Sequence, residues 1–246
     1  MPKIYLSPST QEFNKYVTYE SEEYFMNLLA DYLVPYLYAN GISYTRNSKD
    51  MTARENIKAS NSSNYDFHLA LHSNASPKGE EGLRQGIEIY YFPGSEKGFK
   101  MAEILEKNLK TVYTDPDNIR LIPTSSLGEV DRVKAPAVLL ETAYHDNIED
   151  ALWIENNLPS IAKMIGLSLA EYFSIPFAEP AAPIKAVVNT GGGNLNLRDL
   201  PSLDAKIFTS IPHNKEVIVF GVKDGWARLI YKGILGFSGA DYLNIG

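Results

Sequence analysis

Cysteine is absent from this 246-residue chain, and histidine occurs only four times. The first absence excludes disulfides and thiolate metal ligands, so any metal must be held by histidine and carboxylate. Basic residues are also in short supply: the formal net charge is −7. A sequence-independent grip on nucleic acid or on anionic lipid needs a basic stripe, so neither nucleic acid nor a membrane surface is expected as a partner. No stretch approaches the roughly 20 apolar residues that span a bilayer. The opening residues MPKIYLSPST lack the apolar run of a secretion signal, so no export route is expected within the chain itself. Extended disorder is excluded in turn, because 44% hydrophobic and 22% charged residues is ordinary globular composition.

What is present reads as alternating strands and helices. KIYL (3–6) is a short β run closed by Ser7-Pro8-Ser9. From an N-cap at Ser21, the residues Tyr24, Phe25, Leu28, Leu29, Tyr32, Leu33, Tyr36 and Leu37 recur at helical spacing as far as Asn40-Gly41. Pro35 lies inside that pattern and predicts a kink. Strands are predicted at 42–45, 65–72, 87–92 and 137–142, helices at 52–60 and 99–112, and one or two helices over 150–173. The fold class is therefore α/β, a mixed or mostly parallel sheet flanked by helices, in which sites gather at the C-terminal ends of strands. IPFAEPAAPIK (175–185) is rich in proline and alanine and reads as a stiff linker. Beyond it only short β runs remain: LNLR, KEVIVFGV, WARLIY and ILGFSG. The expected organisation is a catalytic-size domain over 1–176, a linker over 177–185 and a small all-β barrel over 186–246.

Three residues could carry chemistry. His72 ends a buried strand, where a neutral imidazole makes a good zinc ligand, although a single histidine so placed is more often simply packed. Glu22 sits in a first helical turn, where an acid is favoured by the helix dipole alone. Glu141 follows five apolar residues, so burial would raise its pKa toward neutrality and suit it to general-base work; a salt-bridged or capping glutamate is the plainer alternative.

Taken in order, these residues belong to a longer pattern. The strand and turn KIYLSPS come first, then Glu22 eight positions before Ala30, then TRNSKDMTARENIKASN (45–61). YDFHLALHSNA (65–75), GIEIYYF (86–92) and VLLETAYHDN (138–147) follow. From Lys3 to about Phe173 the chain thereby resembles the zinc-dependent N-acetylmuramoyl-L-alanine amidases of type 3. The resemblance implies Zn2+ as cofactor, Glu22 and His72 as ligands and Glu141 as the catalytic carboxylate. It also implies peptidoglycan as the partner, cut at the amide between N-acetylmuramic acid and L-Ala. Asn74, two positions past His72, is expected to contact substrate or to form a turn.

One departure stands out. The family's first ligand is a histidine in a Gly-His-Gly-Gly turn, and here that turn reads Ser7-Pro8-Ser9-Thr10-Gln11. Catalytic zinc ordinarily takes three protein ligands. His68 shares a strand face with His72, but four residues of strand separate them by about 13 Å, so a core role is expected for it. His145, four residues past Glu141, is the candidate third ligand, with a substrate contact or a plain turn as alternatives.

Residues 187–243 resemble bacterial SH3 domains through LNLRDLPS (195–202), SIPHNKEVIVF (210–220), DGWARLIYKGILGF (224–237) and DYL (241–243). That likeness implies wall binding, with Trp226 and Tyr231 as a candidate surface or as barrel packing. His213 is expected to be an exposed turn residue. The expected function is a peptidoglycan hydrolase acting at the cell wall or outside the cell, as an autolysin or a phage endolysin. A wall-binding protein that has lost its metal, or a zinc peptidase of the stem peptide, are the alternatives.

Overall fold

A computed structural model of the chain describes residues 2–180, 182–199, 201–232 and 234–245. Met1, Ala181 in the expected linker, Leu200 within the 195–202 motif, Gly233 and Gly246 lie outside the described residues. The chain divides into two compact units, Met1–Phe177 and Ala178–Gly246.

The first unit is ordered β1 (Lys3–Pro8), α1 (Glu22–Ala39), β2 (Ser43–Arg46), α2 (Ala53–Ser60), β3 (Phe67–Asn74), β4 (Ile87–Tyr91), α3 (Glu96–Leu109). Then come β5 (Ile119–Pro123), α4 (Gly128–Asp131), β6 (Ala137–Tyr144) and α5 (Ile148–Tyr172). Its sheet has the order β2-β1-β3-β6-β4-β5. Every neighbouring pair is parallel except β4 with β6, which is antiparallel. The expected mixed α/β sheet is thus observed.

Side-chain alternation along the strands assigns the two faces. Ile4, Leu6, Leu69, Leu71, Val138 and Leu140 pack into the large core with Met26, Leu29 and Leu33 of α1 and Ile154, Ile161 and Ile165 of α5. Ala70 and Leu139 point the other way and pack with Val130 of α4. His72 and Glu141 continue this second face at the strands' C-terminal ends, where they are register partners.

The local signals act as physics requires. Ser21 caps α1 by accepting a hydrogen bond from the Tyr24 amide, and Gly41 at φ 65° turns the chain out of the helix. Pro35 lies within a helix that runs on to Ala39. Thr52 and Glu55 form a reciprocal capping box on α2. The segment expected as one or two helices is a single α5 with Pro159 inside it. The short β5 and α4 have no counterpart among the predicted elements.

The second unit is one antiparallel sheet of β7 (Ile184–Val188), β8 (Asn194–Arg198), β9 (Ile207–Pro212), β10 (Glu216–Lys223), β11 (Trp226–Tyr231), β12 (Ile234–Gly239) and β13 (Leu243–Ile245). Their order is β13-β7-β10-β11-β12-β8-β9. Val188, Leu197, Ile211, Val219, Ala227 and Leu229 form its own core. Strand β7 begins at Ile184, inside the proline-rich stretch.

Candidate active site

The C-terminal ends of β1, β3 and β6 meet at the N-terminus of α1, and four ionisable side chains gather there. Because Ser21 caps α1, Glu22 stands in the first turn and turns inward, only 1% exposed. Its Oε1 lies 2.8 Å from His72 Nδ1 and its Oε2 accepts a hydrogen bond from Asn14 Nδ2 at 2.7 Å. Burial would raise the Glu22 carboxyl, but His72, Asn14 and Ser9 hold it below the usual carboxylate range. On the other side of the His72 ring, Nε2 lies 3.3 Å from Glu129 Oε2. Burial disfavours a charge on His72; the flanking Glu129 and Glu22, with Glu141 nearby, overcome it and raise the imidazole's pKa well above its ordinary value.

Glu141 faces this pair with one oxygen, Oε2, sealed from solvent and without a hydrogen-bond partner. Burial pushes its carboxyl up to about 8; His72 opposes that shift, while Glu22 and Glu88 add to it. Glu88 is its register partner on β4. That second carboxylate is satisfied by the hydroxyls of Tyr90 and Tyr144, by Asn74 Nδ2 at 2.8 Å and by Arg120 at 3.1 Å. Asn74 therefore braces Glu88, and its own Oδ1 accepts from the Ala75 amide.

The structure brings Glu22, His72 and Glu141 to one strand end. His145 is directed elsewhere: its Nδ1 lies 2.8 Å from the Ser73 carbonyl and 3.0 Å from Ser73 Oγ, and its ring stacks on Tyr16. Ser73 faces away from His72 across β3, so His145 engages the opposite face of the strand. Among the described residues no three His, Asp or Glu side chains converge as a metal cage. The turn that takes the place of the family histidine contributes Gln11, whose Nε2 lies 3.4 Å from His72 Nδ1. His68 is fully buried, bonded through Nδ1 to Ser60 Oγ at 2.9 Å and stacked on Tyr5.

The donor chemistry of the Glu22–His72 pair fits a cation. An ionised carboxylate and a neutral imidazole nitrogen both present lone pairs, and at 2.8 Å they repel unless something positive lies between them. In the bare chain that is a proton; a divalent metal would take its place between the two donors. If zinc is bound here, these two side chains would supply two of the three protein ligands usual for a catalytic site.

Sequence reasoning missed Glu129, Glu88, Gln11 and Asn14. Glu88 had a signal, a lone acid in the apolar strand GIEIYYF; Glu129, on a four-residue helix, had none.

In the second unit, Trp226 and Tyr231 occupy opposite ends of β11, five residues apart, and so point to opposite faces. Tyr231 packs on the module's core, while Trp226 stays half-buried on the other side. The two do not form one surface. His213 accepts a hydrogen bond from the Thr190 amide at 3.1 Å and is partly buried, where an exposed turn was expected.

Comparison with known proteins follows the same division. Residues 13–171 match the family described as N-acetylmuramoyl-L-alanine amidase, and residues 193–244 match the bacterial SH3 domain. Among solved structures, an N-acetylmuramoyl-L-alanine amidase from Clostridium difficile 630 is similar at TM-score 0.63 and 17% identity, covering 70% of this chain and 97% of that one. The catalytic domain of CwlV, an amidase from Bacillus (Paenibacillus) polymyxa var. colistinus, is similar at 0.60 and 19%, covering 72% and 100%. The catalytic domain of an endolysin targeting Clostridia difficile is similar at 0.57 and 23%, covering 70% and 98%. No curated protein matches the chain.

Proposed function

The chain belongs to the N-acetylmuramoyl-L-alanine amidase family, and on that premise we propose that it hydrolyses the amide joining the lactyl group of N-acetylmuramic acid to the L-Ala of the stem peptide. The observation that carries this reading is the placement of Glu141, with a sealed and unpartnered carboxyl oxygen, in register with His72, whose Nδ1 meets Glu22.

Glu22 and His72 would hold Zn2+. When bound, the metal activates water for attack and polarises the scissile carbonyl. Glu141 does the proton work: its free Oε2 takes the proton of the attacking water and delivers it to the departing L-Ala amine. At neutral pH the bare chain keeps that carboxyl largely protonated, and a nearby cation is what readies it as a base. Glu88, held by Tyr90, Tyr144, Asn74 and Arg120, fixes the wall behind Glu141. The geometry supports His145 as a brace on Ser73, next to His72, and not as a member of the metal pair. In the SH3 module, wall binding falls to the face that carries Trp226, and holding the enzyme on its polymer raises local substrate concentration. The site of action is the cell wall.

A second reading is favoured by one observation. Thr10 stands where the family has its turn histidine, and among the described residues no three His, Asp or Glu side chains converge to hold a metal, as in a wall-binding protein whose site has lapsed. Digestion of purified sacculi with zinc present, followed by product analysis, separates the readings. Stem peptides released intact with a free L-Ala amine establish the amidase, and both His72→Ala and Glu141→Gln abolish that release. Shortened stem peptides indicate a peptidase, and sacculi that bind the protein but stay whole indicate the lapsed site.

A further inference from the structure

We propose that Glu129 is a positioning residue for this site: it holds the proton on His72 Nε2, so that the ring's other nitrogen, Nδ1, is the one presented to the metal beside Glu22. The inference rests on the amidase reading and extends it to a residue to which the sequence pattern assigned no role.

Both nitrogens of His72 are engaged, Nδ1 by Glu22 at 2.8 Å and Nε2 by Glu129 at 3.3 Å. An imidazole can give a lone pair to a metal at one nitrogen only if the other carries the proton, and an acceptor at that second nitrogen selects the tautomer and fixes the ring plane. Glu129 is itself held in place. Ser7 Oγ donates to its Oε1, and His68 Nε2 lies 3.4 Å from the same oxygen. His68 is in turn pinned by Ser60 and by the face of Tyr5. Val130, the next residue on α4, packs into the small core with Ala70 and Leu139, which seats the helix over β3 and β6.

The fold has no need of this arrangement. A carboxylate sealed between α4 and the sheet is costly, and an apolar side chain of similar volume would pack at less expense. Ser7 of β1 donates to it, His68 of β3 lies beside it, and Ser60 of α2 holds His68 in turn, so the chain of contacts draws on three other segments and ends on the ring that faces Glu22.

The test uses the full-length protein. Zinc affinity is measured by chelator competition for wild type and Glu129→Gln, with circular dichroism to verify folding. The tautomer of His72 is read in the zinc-loaded wild type by long-range 1H–15N correlation, where four histidines give an assignable spectrum. The expected result is a roughly ten- to hundred-fold loss of zinc affinity in the variant, the range typical of outer-sphere partners of metal-bound histidine. With it, the wild-type spectrum shows His72 protonated at Nε2. A folded Glu129→Gln that binds zinc as wild type does, or a wild-type His72 protonated at Nδ1, overturns the proposal. If the variant does not fold, the wild-type spectrum decides alone. A wild type that binds no zinc overturns the metal-pair reading and this inference with it, whereas zinc binding unaffected by Glu129→Gln overturns this inference only.

Discussion

Glu141 is the residue whose proton links stability to pH in the metal-free protein. Its folded pKa is about 8 against an ordinary 4.5, so between those values the folded chain binds one proton more than the unfolded chain. Stability from this group is fully present below 4.5 and is lost as pH rises through the folded value. Thermal melts of chelator-treated protein should therefore show wild type losing ground to Glu141→Gln as pH is raised from about 5 to about 8. Parallel curves for the two proteins would mean that Glu141 is hydrated and ordinary. Thr10 leads to a second prediction at this scale. A metal held by one carboxylate and one imidazole escapes more easily than one held by three such ligands. Zinc should be stripped by brief EDTA dialysis without unfolding the protein, and Thr10→His should slow that loss.

The helix α1 couples capping to chemistry, because Ser21 both starts the helix and sets where Glu22 points. Ser21→Ala should cost about 1 kcal/mol, which for a domain of this size lowers the melting temperature by roughly 2–4 °C. Zinc affinity should fall along with it, whereas Thr52→Ala, which uncaps α2, should cost similar stability and leave zinc binding unchanged. The elements that carry Glu22, His72 and Glu141 were legible for a shared reason: each residue sits where a strong periodic pattern ends. Leu28, Leu29 and Leu33 mark α1 by their spacing, and the apolar runs HLAL and AVLL mark β3 and β6 without ambiguity. The α4 helix was not legible, since four residues span barely one turn and show no period. Glu129 was lost with it. His145 misled for another reason. Its nearness in sequence to Glu141 says nothing about which face of β3 it reaches, and the hydrogen bonds to Ser73 decide that.

At the scale of the molecule, each unit has its own core, Ile4 to Leu169 in the first and Ala186 to Leu243 in the second. A chain ending at Phe177 should fold and digest soluble muropeptides at the full-length rate, while its apparent affinity for intact sacculi falls about a hundred-fold, the low end of what tethering supplies. Equal sacculus binding by both forms would remove the wall-anchoring role from the SH3 module. Trp226→Ala in the full-length chain should reproduce much of the loss, and Tyr231→Ala should lower stability instead, because Tyr231 packs on the barrel's core.

The position of β6 has a consequence for synthesis. It is the last strand of its sheet to be made, yet it lies between β3 and β4. A released fragment of residues 1–136 can pair β2-β1-β3 and β4-β5 only as two half-sheets, each with a bare edge awaiting a partner. Glu22, His72 and Glu129 have been made by that point in the chain, but Glu141 has not. Hydrolytic competence is thus withheld from every nascent or prematurely terminated product until the strand that joins the halves slides in. The same gap leaves such fragments prone to aggregate rather than to cut.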